Sequence, residues 1–283
     1  MSLDRVGRWS VEKLEMLSEY SHAYAVIMNA QKRSRPGRRA WLTGFYYVDT
    51  FAGPGIAESK ADPEVIEYLE GSPLRAVDCS PPFDHLWFID RNSRRLSALR
   101  QLLEEHGALP RSTLRRGDSN LLLTEVISSL SATERAIVFL DPYGLQVEWD
   151  TVRALASSRK ADVFINFSLM GVFRNLRLTG GPSPAIRERL AAVMFSTEWI
   201  DRLYVQQSGF WSEPVLHRRQ VTASEVCRHY RDDLTSIFPY VSNAAIMTNS
   251  RGGPIYALVL ASHNERAAGI MNDIIGKYQL QRQ

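Results

Sequence analysis

Tyr46-Tyr47-Val48-Asp49-Thr50-Phe51-Ala52-Gly53-Pro54-Gly55 decides how this chain is read: an apolar run closes on an acid and passes straight into a glycine-bearing turn. Three more segments end in the same way, Leu86-Trp87-Phe88-Ile89-Asp90, Leu114-Arg115-Arg116-Gly117-Asp118 and Ile137-Val138-Phe139-Leu140-Asp141. The last runs on into Pro142-Tyr143-Gly144. In an open α/β sheet, ligands bind beyond the carboxyl ends of the strands. Four carboxylates placed there therefore face one crevice.

Outward from these segments, helical and strand patterns alternate. The spacing of Trp9, Val11, Leu14, Leu17, Tyr20, Tyr24, Ile27 and Met28 suits an amphipathic helix, with Ser10 as candidate N-cap and an end near Asn29. Strands are expected near 45–49, 85–90, 112–116, 135–140 and 162–167. Between them, helices are expected after Gly71, with Ser72 as candidate cap and Pro73 at the first position, and at about 92–106, 119–130 and 148–157. Such alternation implies a parallel sheet with helices on both faces. The rhythm breaks from about 171 to 220, around Gly180-Gly181-Pro182-Ser183-Pro184, where one helix is expected at 184–194. A helix near 223–237 then precedes two apolar runs, Val241–Met247 and Ile255–Leu260, which read as an antiparallel hairpin at a sheet edge. The expected division is an N-terminal helix and basic loop (1–40), an α/β core (41–170), a basic helical insert (171–222) and a completion of the sheet (223–283).

The 283 residues are 45% hydrophobic and 23% charged, with a net charge of +3. These values are ordinary for a globular protein, and the chain is long enough for a substantial core. Cys79 and Cys227 make neither a disulfide framework nor a cysteine metal cluster, and suit a reducing compartment. No apolar run approaches the roughly 18–20 residues of a membrane span, and the start has no signal-peptide apolar region. A cytoplasmic location without a membrane partner is therefore expected. The histidines show no metal-binding spacing, so no metal site is expected. Positive charge gathers in Lys32-Arg33-Ser34-Arg35-Pro36-Gly37-Arg38-Arg39, and in 171–220, which has seven arginines against four acids. These stretches are either solvated faces, a partner-protein surface, or a nucleic-acid surface. In the last case Arg174, Arg177, Arg187, Arg189, Arg218 and Arg219 meet phosphates, and Phe173, Phe210 and Trp211 stack on bases.

The glycine turn is not a dinucleotide fingerprint. Glu58 stands where the third glycine of G-x-G-x-x-G belongs, and roughly fifteen residues separate the turn from the next helix. An acid just ahead of such a turn repels phosphates but can orient a cationic amino-acid moiety. Asp49 therefore suits the methionine end of S-adenosylmethionine. Asp90 is placed to accept ribose hydroxyls, and Asp118 to accept an adenine amine or to cap the helix from Ser119. The candidate cofactor residues are Asp49, Phe51, Ala52, Gly53, Pro54, Gly55, Ser72, Asp90, Arg91, Asp118 and Ser119.

Asp141, Pro142 and Tyr143 are the candidate catalytic residues, with Gly144, Asn166, Arg174 and Arg177 as substrate-binding candidates. Asp141-Pro142-Tyr143-Gly144 resembles the [DN]-P-P-[YF] motif of methyltransferases that modify exocyclic amines of nucleobases. It is closer still to the D-P-F-G form of tRNA guanine-N2 methyltransferases. A ring-conjugated amine is a poor nucleophile. An acceptor for its N–H bonds frees the lone pair, and alignment with the methyl donor supplies proximity. An aromatic such as Tyr143 can stack on an extruded base. The single proline departs from the amino-methyltransferase motif, and Asp-Pro-x-Gly is also an ordinary turn sequence.

The whole chain resembles the three-Cys-motif partner family (TcmP), a branch of the S-adenosylmethionine methyltransferase fold. The matching segments are Trp9–Glu15, Asp49–Gly55, Gly71-Ser72-Pro73, Phe88-Ile89-Asp90, Gly117-Asp118, Leu140–Leu145, Ile165-Asn166-Phe167 and Tyr256–Ser262. The resemblance implies an α/β, Rossmann-like class I methyltransferase sheet, mostly parallel with an antiparallel edge hairpin. It also implies a separate partner, resembling radical-S-adenosylmethionine proteins, that carries the cysteines. The expected function is methyl transfer from S-adenosyl-L-methionine to an amino group of a nucleic-acid base or base-like substrate. Two alternatives stand beside it: a metal-dependent nuclease or phosphotransferase using the strand-end acids, and a non-catalytic partner subunit.

Overall fold

A computed structural model describes residues 5–33, 41–59, 68–176, 179–201, 203–207, 215–218 and 220–280. Its centre is an eight-stranded sheet. The strands are β1 (Gly44–Asp49), β2 (His85–Asp90), β3 (Ser112–Arg116), β4 (Glu134–Leu140), β5 (Ala161–Phe167), β6 (Tyr240–Val241), β7 (Ala245–Thr248) and β8 (Pro254–Ser262). The first five lie parallel in the order β3-β2-β1-β4-β5. β8 runs antiparallel beside β5, with Leu258 opposite Asn166. β6 and β7 both pair antiparallel with β8. This is the expected α/β class: a Rossmann-like, mostly parallel sheet with an antiparallel edge. The order reverses between β1 and β4, so the loops leaving those two strands part and open a crevice beyond their carboxyl ends.

Side chains that alternate along each strand supply two cores, one on each face. Phe45 and Tyr47 of β1, Ile137 and Phe139 of β4 and Phe164 of β5 point into one core. Val48, Val138, Leu140, Val163 and Ile165 point into the other. The first face is covered by α1 (Arg8–Lys32), α2 (Ser72–Val77), α3 (Ser93–Glu105) and the last helix, Glu265–Leu280. The second is covered by α4 (Ser119–Ser129), α5 (Trp149–Ser158), α6 (Leu169–Asn175), α7 (Pro184–Val193), α8 (Glu198–Asp201) and α9 (Ala223–Thr235). The helix Glu265–Leu280 is α10.

Several boundaries differ from the sequence expectation. Gly7, in extended conformation, caps α1, and Ser10 lies inside the helix, donating its N–H to the Gly7 carbonyl at 2.9 Å. The helix continues past Asn29 to Lys32, because Gln31 and Lys32 are good helix formers and no breaker intervenes. Gly71 rather than Ser72 is the cap of α2. The run Val241–Met247 is divided between β6 and β7. A small three-stranded sheet (Arg5–Val6, Ile56–Ser59, Tyr68–Glu70), a ribbon (Tyr204–Gln207, Val215–Arg218), and α6, α8 and α10 were not anticipated. The apolar spacing of α10 (Ala267, Ala268, Met271, Ile274, Ile275, Tyr278) had the helical period all along. Among the described residues no helix is long and apolar enough to cross a membrane.

Candidate active site at the carboxyl ends of the strands

The turn after β1 is stitched to its neighbours on both sides. Thr50 donates its backbone N–H and its hydroxyl to the Phe139 carbonyl of β4, at 3.2 and 3.0 Å. Ala52 N–H reaches the Ile89 carbonyl of β2 at 3.0 Å, and Gly53 N–H reaches Asp90 Oδ2 at 3.0 Å. Gly53 and Gly55 have φ of +64° and +87°, which glycine adopts without steric cost. A Cβ on Gly55 would press on Leu99 and Leu102 of α3, at 3.0 and 3.1 Å. A Cβ on Gly53 would meet no atom of the described residues within 4 Å. Pro54 is buried within the same turn.

Asp49 is fully buried at the tip of β1. It accepts Phe51 N–H at 3.2 Å and lies at a long 3.5 Å from the Tyr47 hydroxyl. Burial pushes its carboxyl up to about 7; the nearby charge of Asp141 adds to the shift, and hydrogen bonds from Ser72 and Phe51 and the charge of Lys13 oppose it. Asp90, also buried, accepts Asn92 N–H at 2.7 Å on its second oxygen. Asp118 caps α4 by accepting Asn120 N–H at 2.8 Å and pairs with Arg91. Burial raises its carboxyl, but the bonds from Asn120 and Arg91 outweigh this and hold it below the usual range. Ser119 donates its hydroxyl to the Thr50 carbonyl, tying α4 to the glycine turn. Phe51 and Ala52 lie in the turn, with Ala52 buried.

The acid closing β4 is met from a distant part of the chain. Lys13 of α1 places Nζ 2.5 Å from Asp141 Oδ2, and Asn166 at the end of β5 donates from Nδ2 to Oδ1 at 2.6 Å. Lys13 is almost wholly buried, 5.6 to 6.0 Å from the ring centres of Trp9, Phe139 and Tyr256. Sequence reading did not select Lys13, although a lysine sitting on the apolar stripe of an amphipathic helix was the available signal. Asn166 is fully buried, and its Oδ1 has no hydrogen-bond partner among the described residues. Asp49 and Asp141 thus flank the switch point, and Lys13 acts on both.

Beyond Asp141, Pro142 is buried while Tyr143 is 60% exposed, with its ring 5.2 Å from the Arg95 guanidinium. Tyr143, Gly144, Arg174 and Arg189 line one cavity of about 310 Å³. The basic insert is not a uniform cationic face. Arg187 pairs with Asp201, and Phe173 packs against the core. Arg177, Phe210, Trp211, Arg219, the side chain of Arg218 and the tract Ser34–Arg39 lie outside the described residues. The site therefore joins Asp49, Asp90, Asp141, Asn166 and the glycine turn, with Arg91 and Asp118 engaged with each other at its rim.

A scan against family models finds no match for this chain. A search of curated proteins also finds no match. Solved structures similar to it include a Legionella pneumophila protein assigned to DUF519, at 14% identity and a TM-score of 0.44, covering 90% of this chain and 97% of the other. The Bacillus cereus O-methyltransferase in complex with SAH is 11% identical, with a TM-score of 0.41 over 87% of this chain and 80% of the other. The O-methyltransferase TomG of Streptomyces achromogenes, in complex with SAM, is 13% identical, with a TM-score of 0.42 over 87% and 79%. Strand order and directions alone give this chain a Rossmann-like, mostly parallel sheet with an antiparallel edge.

Proposed function

We propose that this chain is an S-adenosylmethionine-dependent methyltransferase acting on an amino group of a nucleic-acid base or base-like substrate. The carrying observation is the open space at the Gly53 Cβ position, beside buried Asp49 and Asp90 at the switch point. In that crevice Asp49 holds an ammonium, Asp90 accepts ribose hydroxyls on its remaining lone pairs, and the glycine turn gives backbone access. S-adenosylmethionine, when bound, supplies a methyl group on a sulfonium. The chain's own contribution on the acceptor side is to orient an amine and accept its N–H bonds. Asn166 supports that reading, because its buried Oδ1 finds no donor among the described residues and an unmet buried acceptor is costly. Lys13 pairs with Asp141 and fixes its position, and Tyr143 offers an exposed ring to a planar substrate.

The phosphodiester alternative asks for acids that share a metal ion. Among the described residues no group of three acids, histidines or cysteines comes together, and Lys13 occupies the place beside Asp141. The resemblance to the three-Cys-motif partner family adds a protein partner to the proposal, to be sought by co-purification with a three-Cys-motif protein.

Titration calorimetry with S-adenosylmethionine, S-adenosylhomocysteine and Mg²⁺ tests the reading. Micromolar binding of both adenosyl compounds is expected, with Asp141→Ala sparing binding and abolishing turnover. Mg²⁺ binding without adenosyl binding would move the assignment to phosphodiester chemistry. Silence with all three would favour a non-catalytic subunit.

A further inference from the structure

The amino-terminal ends of the same strands frame another cavity, of about 540 Å³, at the opposite end of the sheet from the glycine turn. Arg135 near the start of β4, and Arg159 and Lys160 between α5 and β5, bring three cations to it. Its one acid among the described residues, Asp162, is already engaged by the hydroxyls of Tyr20, at 2.7 Å, and Ser262. Lys160 also reaches the Leu130 carbonyl at the end of α4, and Arg135 donates to the Ala132 and Glu134 carbonyls at 2.9 and 2.7 Å. No hydrogen bond or ion pair of the Arg159 side chain is found among the described residues.

Polar atoms in this wall are left unmet. Tyr24 of α1 is only 4% exposed, yet its hydroxyl has no partner among the described residues. Gln31 Oε1 and His263 Nδ1, on residues that line the same cavity, are also buried without partners among the described residues. Arg159 is, among the described residues, the one non-glycine with positive φ (56°). Trp41, half exposed, carries the Arg135 guanidinium 5.3 Å from its ring centre. Water alone would satisfy the orphaned atoms but leave three cations against the single acid Asp162. An inorganic anion would answer the cations and leave Gln31 Oε1 without a donor. A flat ring bearing N–H groups and an attached phosphate answers all of them, and the volume lies in the range of small-molecule sites.

We propose that this cavity is a separate binding site for a nucleoside monophosphate. Arg159 and Lys160 take the phosphate; Trp41, Gln31 and Tyr24 take the ring. The assignment is independent of what the crevice at the other end of the sheet does. It is tested by calorimetry of the full chain with AMP, GMP, CMP, UMP and inorganic phosphate, repeated on Arg159→Gly, Tyr24→Phe and Gly53→Val. At least one nucleotide is expected to bind one-to-one. Arg159→Gly should weaken it at least about tenfold, with no loss of thermal stability, since glycine suits the positive φ. Tyr24→Phe should weaken it by about threefold or more, and Gly53→Val should leave it unchanged. The proposal is overturned if no nucleotide binds below about 1 mM or if inorganic phosphate binds as tightly. It is also overturned if Arg159→Gly has no effect, or if Gly53→Val abolishes binding and so assigns the nucleotide to the crevice.

Discussion

Asp49 holds its proton unusually well for a carboxylic acid, pushed up to about 7 chiefly by burial. In the unfolded chain an aspartate titrates near ~3.9. Between those values the folded protein binds the proton and the unfolded chain does not. Stability therefore falls as pH rises from about 4 to about 7 and then levels, by up to roughly 4 kcal/mol from this group. Urea unfolding at several pH values should show a shallower slope for Asp49→Asn than for the parent, and equal slopes would refute the assignment. Binding follows the opposite sense: an ammonium beside Asp49 favours the ionised form, so affinity for S-adenosylmethionine should rise with pH up to about 7, with proton release visible as buffer-dependent heats. Lys13 and Asp141 give an asymmetric pair of variants. Asp141→Asn leaves an almost fully buried ammonium without its counter-charge, a loss of about 3–5 kcal/mol. Lys13→Met strands a carboxylate that keeps 23% of its surface in water and should cost less. Comparing the two unfolding free energies decides this, and equal losses would show that the pair is not what holds Lys13. Asp49 and Asp141 were legible in the sequence as strand-end acids. The raised carboxyl of Asp49 was not, because it comes from burial, and neither was the partner of Asp141, because Lys13 lies 128 residues away.

The glycine turn separates folding from binding within one loop. Gly55 is packed beneath α3, so Gly55→Ala meets Leu99 and Leu102 and a positive φ together, and should lose about 1–3 kcal/mol. Gly53→Val adds a side chain to open space, at about 1–2 kcal/mol for the positive φ. It should nevertheless abolish adenosyl binding, because its side chain fills the crevice. Thermal melts and calorimetry on both variants check the contrast; Gly53→Val retaining full affinity would remove the turn from the site. Element types around the loop followed from period and turn chemistry, and the parallel strands were placed to within a residue or two. Short elements such as α6, α8 and the three-stranded sheet carry too few residues for a period to stand out. Asp118 shows the other limit: a strand-end acid and an N-cap are the same residue type, and only the 2.8 Å bond from Asn120 identifies it as the cap.

Across the whole molecule, α1 connects both ends of the sheet. Its Met16, Leu17, Tyr20 and Tyr24 are buried against the first face, Lys13 reaches the crevice, and Tyr20 reaches Asp162 at the other end. Each of those four large side chains contributes about 1.5–3 kcal/mol by burial, a sum comparable with the ~5–15 kcal/mol stability of a whole domain. A chain lacking residues 1–33 should therefore show no cooperative unfolding transition by circular dichroism. A sharp transition near the parent midpoint would mean that α1 is an accessory.

The sequence by itself determined the α/β alternation, the mostly parallel sheet and the run of acids and glycines at its strand ends. Those features are local, written in hydrophobic period and in residues whose backbone or charge preferences act within a few positions. Tertiary structure alone decided which acids share a site, that Asp141 is clamped by Lys13 and Asn166, and that a cation-lined cavity opens at the far end of the sheet. The reason is physical: desolvation, ion pairing and cavity formation depend on which groups strand order brings within a few ångströms, and no local pattern carries that distance.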